Sequence, residues 1–364
     1  MGQHAYRGCL LGMAVGDAMG YTVDSRSWPE IQEDYGPNGL LGYDLCNGYA
    51  EITSNTQLAA FTCNGLLLGL TKGQMTGSMA PFIQYVALSS REWAASQRPW
   101  GRPQLTKCWL LQQPELCRRH CMETRMLDTL SRTRLGTPEE PKNSYDGPCA
   151  LTTAIGVGLF FHPDRTDQQE IDRLGAEAVA LTHGSPEAFL TGAFLTHLTS
   201  RLVKHPDMFL KSLVLETVDA LQDQFGPEYS QVYEICNLLK MTLSLSEGLN
   251  HDHVQVMEKL QCQTASQVLA GALYACLVSG NDFDSAMIIA VNHSGRSATV
   301  GAIVGAILGI RLGAQTLPGF YIECLQPAET LVELADDLYH GCPMEKENRL
   351  FDLDWDRKYL HGGR

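Results

Sequence analysis

The sequence predicts an all-α fold in a compact single domain, and three observations carry that expectation. Gly8, Gly12, Gly16 and Gly20 recur every four residues near the N-terminus, and Gly301, Gly305, Gly309 and Gly313 repeat the device near the C-terminus. In a helix each set forms one stripe without side chains, along which a second backbone can approach closely. Between the two ladders, apolar residues recur at helical spacing, and no run alternates apolar and polar residues as a half-buried strand would.

The elements follow in chain order. Glycine costs about 1 kcal/mol relative to alanine inside a helix, so four in register need a packing reason. Both ladders are therefore expected in the core against neighbouring helices. Residues 57–70 place Leu58, Phe61, Leu66 and Leu70 on one helical face. Residues 168–182, 186–203, 208–225, 231–249, 264–279 and 285–291 read likewise, with Asp282 or Asp284 as the cap of the last. Pro-, Gly- and Asn-rich breaks fall near 36–48, 136–147, 183–186 and 317–319. No composition shift divides the chain, so residues 1–364 read as one domain, with 91–140 as a less regular insertion over one face.

Composition narrows the function classes. Hydrophobic residues make up 44% and charged residues 19% of the 364, a globular balance. A formal charge of −14 argues against nucleic-acid binding. The apolar run 300–312 falls short of the ~20 residues a membrane span needs, so no membrane association and a cytoplasmic location are the expectations. The twelve cysteines are scattered through helical segments rather than arrayed as a disulfide framework. Cys117-Arg-Arg-His120-Cys121 is the one cluster with metal-like residues. It lacks a second Cys/His pair at zinc spacing, and no metal is assigned to it.

Three polar stretches adjoin apolar helices: 51–57 (Glu-Ile-Thr-Ser-Asn-Thr-Gln), 182–187 (Thr-His-Gly-Ser-Pro-Glu) and 292–299 (Asn-His-Ser-Gly-Arg-Ser-Ala-Thr). Each lies at a helix start, where unpaired backbone N–H groups favour anions. Each also reads as an ordinary cap.

Taken together, these stretches resemble the ADP-ribosylglycohydrolases, the family that includes the dinitrogenase-reductase-activating glycohydrolase. Arg7-Gly-Cys-Leu-Leu-Gly-Met-Ala-Val-Gly-Asp-Ala-Met-Gly20 is close to that family's N-terminal helix. Thr53-Ser-Asn-Thr-Gln57 stands where it has Thr-Asp-Asp-Thr-Gln, and Thr182-His-Gly-Ser-Pro186 is similar to its Thr-His-x-x-Pro turn. Gly295-Arg-Ser-Ala-Thr-Val-Gly-Ala302 aligns with its Gly-Asp-x-Asp-(Ser/Thr)-x-Gly-Ala loop. The resemblance covers most of the chain and implies an all-α fold. It also implies a cleft for ADP-ribose or an ADP-ribosylated protein, with two magnesium ions in active members.

The departures bear on mechanism. The four aspartates of the family's metal loops correspond here to Ser54, Asn55, Arg296 and Ala298. Magnesium prefers oxygen ligands that include carboxylates, so both ions are expected to be absent. Asp24 matches an acidic residue that the family places near the scissile bond and is the candidate catalytic group. The resemblance implies ligand contacts from Thr53, Ser54, Asn55, Gly147, His183, Asn292, Ser294, Gly295, Arg296, Ser297 and Thr299. Pro148 removes a backbone donor beside Gly147, in the segment matching a phosphate-contacting loop. Asp17, inside the first ladder, reads as a partner for nearby backbone. The guanidinium of Arg296 is expected to lie across the former metal position and to donate to Thr53, Ser54 and Asn55. The favoured reading is a catalytically degenerate member that still binds ADP-ribose or a related nucleotide. The alternative is a hydrolase that cleaves an ADP-ribosyl glycosidic bond without metal, with Asp24 activating water.

Overall fold

The computed structural model describes residues 2–98, 106–120, 123–248 and 252–363. Among these residues the only β pairing is three isolated bridges, and the rest of the regular structure is helical. The helices are α1 (Gln3–Tyr21), α2 (Trp28–Tyr35), α3 (Ser54–Thr76), α4 (Phe82–Ser96), α5 (Thr124–Leu130) and α6 (Leu151–Phe160). There follow α7 (Gln168–Ala180), α8 (Pro186–Lys204), α9 (Leu210–Phe225), α10 (Gln231–Leu245), α11 (His253–Leu260) and α12 (Ala265–Ser279). The last are α13 (Phe283–Val291), α14 (Ser297–Leu312), α15 (Gly319–Glu323), α16 (Ala328–His340) and α17 (Leu353–Leu360).

The two ladders pack against each other. A Cβ on Gly8 would stand 2.0 Å from the Gly309 carbonyl oxygen, one on Gly12 2.2 Å from that of Gly305, and one on Gly16 1.9 Å from that of Gly301. The descending numbers make the pair antiparallel. The fourth rung of the first ladder, Gly20, meets Ser297, whose carbonyl oxygen would lie 2.3 Å from a Cβ there. Gly313 instead ends α14 in a left-handed backbone conformation, φ +77°, and its N–H donates to the Gly309 carbonyl. α14 is buried along nearly its whole length, as a helix apolar on all sides must be.

Helices α3, α6, α8, α12, α13 and α16 pack directly against this pair, and α7, α9 and α10 pack on those in turn. Asp282, not Asp284, caps α13 by accepting from the Ser285 N–H at 3.1 Å. Thr264 and Gln267 form a reciprocal box at the start of α12. The expected helix at 231–249 ends at Leu245, and residue 249 lies outside the described set. Within 91–140, α4 extends to Ser96, two short 3-10 turns occupy Trp109–Gln112 and Pro114–Cys117, and α5 follows. The Glu92 carboxylate accepts from the N–H groups of Lys107 and Cys108, anchoring this segment to α4. Among the described residues no helix is long and apolar enough to cross a membrane.

Candidate functional site

The antiparallel ladder brings the C-terminal end of α1 beside the N-terminal end of α14, and the polar stretches converge there. Asp17, fully buried on α1, receives five hydrogen bonds from the start of α3. Thr53 N–H (2.8 Å), Thr56 N–H (3.1 Å) and the Thr56 hydroxyl (2.6 Å) donate to Oδ2, while the Thr53 hydroxyl (2.6 Å) and Asn55 Nδ2 (3.1 Å) donate to Oδ1. Two of these donors are backbone N–H groups, as expected for Asp17, but they lie 36 and 39 positions away rather than within α1. Burial raises the pKa of Asp17, and the Thr53, Thr56 and Asn55 donors pull against that shift.

Asp24 plays the corresponding part for α14. Its Oδ1 accepts from the Ala298 N–H at 3.1 Å and its Oδ2 from the Ser25 hydroxyl at 3.3 Å. Burial raises its pKa as well, opposed first by the Ala298 N–H and then by Arg296. Two helix starts expected to offer free N–H groups to an anion are thus already met by the chain's own carboxylates. Glu187, from the second polar stretch, does the same for α12 through Ser266.

A cavity of about 290 Å³ opens between these elements, lined by Asp24, Ser25, Ser54, Asn55, Glu123, Cys149, Arg296 and Thr299. Arg296 is the cation on this wall. Its Nη1 donates to the Ser25 hydroxyl at 3.2 Å, its Nη2 lies 4.0 Å from Glu123 Oε1, and its buried Nε has no partner among the described residues. This differs from the expected donation to Thr53, Ser54 and Asn55. The two loops are joined instead by a neutral bond from the Thr299 hydroxyl to Asn55 Oδ1, 3.3 Å. Ser25 holds φ +61°, a left-handed conformation uncommon for a non-glycine residue, and its N–H donates to the Gly295 carbonyl.

Of the residues expected at the site, the candidate catalytic Asp24 and the candidate ligand contacts Ser54, Asn55, Arg296 and Thr299 line the cavity, and the others do not. Thr53 is buried on Asp17. Asn292 pairs with both backbone groups of Leu40. The Ser294 hydroxyl accepts from the Trp28 N–H at the start of α2, and the Ser297 hydroxyl donates to the Val291 carbonyl. Gly295 lies against Cys262, where a Cβ would stand 2.7 Å from that residue's Cβ. Gly147 is not on the lining; a Cβ there would stand 3.5 Å from Glu123 Oε1 and 3.8 Å from His183 Nε2. His183 is fully buried, its Nδ1 2.9 Å from the Thr182 hydroxyl and its Nε2 3.8 Å from Glu123 Oε2. Three lining residues went unnamed in the sequence reading. Ser25 adjoins Asp24 and Cys149 follows Pro148 in the segment matched to a phosphate-contacting loop, whereas Glu123 belongs to no motif. Burial pushes the Cys149 thiol well above its usual range, with Glu123 adding to the shift, so a thiolate nucleophile is disfavoured there. In the Cys117–His120 cluster, residue 121 lies outside the described set, and His120 stands 3.7 Å from Glu51. Among the described residues no group of three or more His, Cys, Asp or Glu is placed to hold a metal.

Two buried imidazoles flank the site and make its stability pH-dependent. His183 and His293 are both lowered to about 4, chiefly by burial. His293 Nε2 lies 2.9 Å from the Ala290 carbonyl, and Nδ1 accepts from the Gly295 N–H at 2.9 Å. Because the folded pKa values lie below the unfolded one, the unfolded chain binds the extra protons. Stability is therefore full above the unfolded value and falls as pH drops from about 6.5 toward 4, by roughly 2 kcal/mol per histidine between pH 7 and 5. Asp17 and Asp24, raised in the fold, act in the opposite sense. The clean measurement is therefore a difference: urea unfolding of His293→Gln should show a smaller loss from pH 7 to 5 than the parent. An equal loss in both would show that His293 is not buried neutral.

The model of the ADP-ribosylglycohydrolase family matches residues 3–348. A solved structure titled as an ADP-ribosylglycohydrolase-related protein complex is similar at 22% identity and TM-score 0.59, over 93% of this chain and 98% of that one. That likeness speaks to the fold. No curated protein matches the chain with significant similarity.

Proposed function

Since the chain belongs to the ADP-ribosylglycohydrolase family, we propose that its cavity binds an ADP-ribosyl group or related nucleotide without a di-magnesium centre, and that the chain is degenerate as a magnesium-dependent hydrolase. The observation that carries this reading is the Arg296 guanidinium in the cavity, hydrogen-bonded to Ser25 and beside Glu123. The donor set supports it. At the positions the resemblance assigns to metal-binding aspartates stand a hydroxyl, an amide, a guanidinium and an alanine. The Ala298 N–H is a donor that already engages Asp24. A pair of divalent cations needs several anionic oxygens in near-octahedral sets. Here one carboxylate is tied to Ala298 and Ser25, the other faces a fixed positive charge, and these donors do not fit two magnesium ions. A volume of about 290 Å³ lies at the small end for ligand pockets and suits part of a nucleotide, with the rest running out over the rim.

A second reading draws on Glu123. It gives the cavity the second carboxylate that metal-free glycosidic cleavage needs, alongside Asp24. Calorimetry with ADP-ribose, in EDTA and in magnesium, is paired with turnover assays on ADP-ribosyl-arginine and ADP-ribosyl-serine. We expect binding that magnesium leaves unchanged and no turnover. Turnover in EDTA selects the second reading, and magnesium-dependent turnover overturns both.

A further inference from the structure

Glu123 stands between two nitrogens that lack hydrogen-bond partners among the described residues. On one side is Arg296, with Nη2 at 4.0 Å from Oε1 and a buried, unpaired Nε. On the other is His183, fully buried, with Nε2 unpaired and 3.8 Å from Oε2. Both separations exceed hydrogen-bond length, so the carboxylate is committed to neither. Burial holds the imidazole neutral at pH 7. The Thr182 hydroxyl lies 2.9 Å from Nδ1 and 3.5 Å from the Val179 carbonyl; donating along the shorter contact, it leaves the ring proton on Nε2, facing Glu123. The surrounding charges sharpen the contrast. Asp24 and Glu123 are the carboxylates on the cavity wall and Arg296 its guanidinium, so an incoming anion meets one cation and two anions.

We infer that Glu123 is the resident counter-anion of Arg296: an anionic ligand group takes the guanidinium only by displacing Glu123, which His183 Nε2 then receives. Glu123 is thereby a specificity-determining residue. It raises the threshold for anions and reserves Arg296 for groups that form paired, charge-assisted hydrogen bonds, as the two phosphates of a diphosphate ester do. The exchange moves no proton and breaks no covalent bond. It satisfies both orphaned nitrogens at once, which burial otherwise penalises. The inference rests on the proposed function only for the identity of the anion.

The experiment titrates inorganic pyrophosphate and, separately, ADP-ribose into the parent, Glu123→Gln and Arg296→Met by calorimetry, with thermal melts to establish folding. Removing a like charge from beside the anion should tighten pyrophosphate binding by about tenfold or more in Glu123→Gln, and Arg296→Met should lose it. Pyrophosphate affinity that is equal in parent and Glu123→Gln, or absent from both, overturns the inference. Tightened pyrophosphate binding without any response to ADP-ribose leaves the inference standing and removes the ADP-ribosyl reading instead. If Glu123→Gln fails to fold, Glu123→Ala and Glu123→Asp replace it, with the same expectation for alanine and parent-like affinity for aspartate.

Discussion

Gly305→Ala is expected to destabilise the protein by more than about 3 kcal/mol, or to prevent folding, although alanine is the better helix former by about 1 kcal/mol. The new methyl group would stand 1.8 Å from the Gly12 carbonyl oxygen and 2.4 Å from its carbon. Those are backbone atoms of a buried helix, with no rotamer to yield, so the helices must separate along the whole seam. Gly12→Ala meets the Gly305 carbonyl at 2.2 Å and should behave alike. Gly73→Ala is the control: it is also helical, but its Cβ would first meet the flexible Met79 side chain at 3.2 Å. It should be neutral or stabilising. Equal melting of Gly305→Ala and the parent would refute backbone-to-backbone packing.

Asp17→Ala should have the next largest effect. The substitution strands two backbone N–H groups, two hydroxyls and one amide at the buried start of α3. Each unsatisfied donor costs about 1–3 kcal/mol, partly relieved by rotation of the hydroxyls, so a loss of roughly 3–5 kcal/mol is expected. The effect should also reach the cavity, because Ser54 and Asn55 hold their places through this anchor. Urea unfolding reads the first consequence and ADP-ribose calorimetry the second. A loss below about 1 kcal/mol would mean that α3 finds other partners for its first turn.

Much of the fold was legible because a period of four in glycine has few explanations in a chain whose apolar runs fall short of a membrane span. The register was not. Nothing local distinguishes Gly313, a helix-ending glycine, from a rung, and nothing marks Ser297 as the partner of Gly20. α6 escaped notice because its sequence, LTTAIGVGLF, mixes β-branched residues and glycine in a run that fits a buried strand equally well. At the site, the motifs found the right loops but could not separate residues facing the cavity from those holding it. A hydroxyl that caps a helix and one that meets a ligand are the same residue type, so Thr53, Ser294 and Ser297 stood level with Ser54 and Thr299. Glu123 was out of reach for another reason. It enters from a segment with weak periodicity, and only tertiary packing sets it beside Arg296.

The ladder has a consequence for how this protein can vary. One inserted or deleted residue within α1 or α14 turns everything beyond it by about 100° and swings a methyl or larger group into the seam. The joint is keyed: it tolerates slips of about one full turn and nothing between. The frame that presents Asp24 and Ala298 therefore has no lateral play and cannot open or close by sliding. Whatever adjusts to a ligand must come from outside the key, and Glu123 arrives on a segment that the glycines do not clamp. Length changes among descendants of this sequence should thus accumulate between α4 and α6 and be nearly forbidden in the two striped helices, a pattern that a deletion scan scored for soluble expression would reveal.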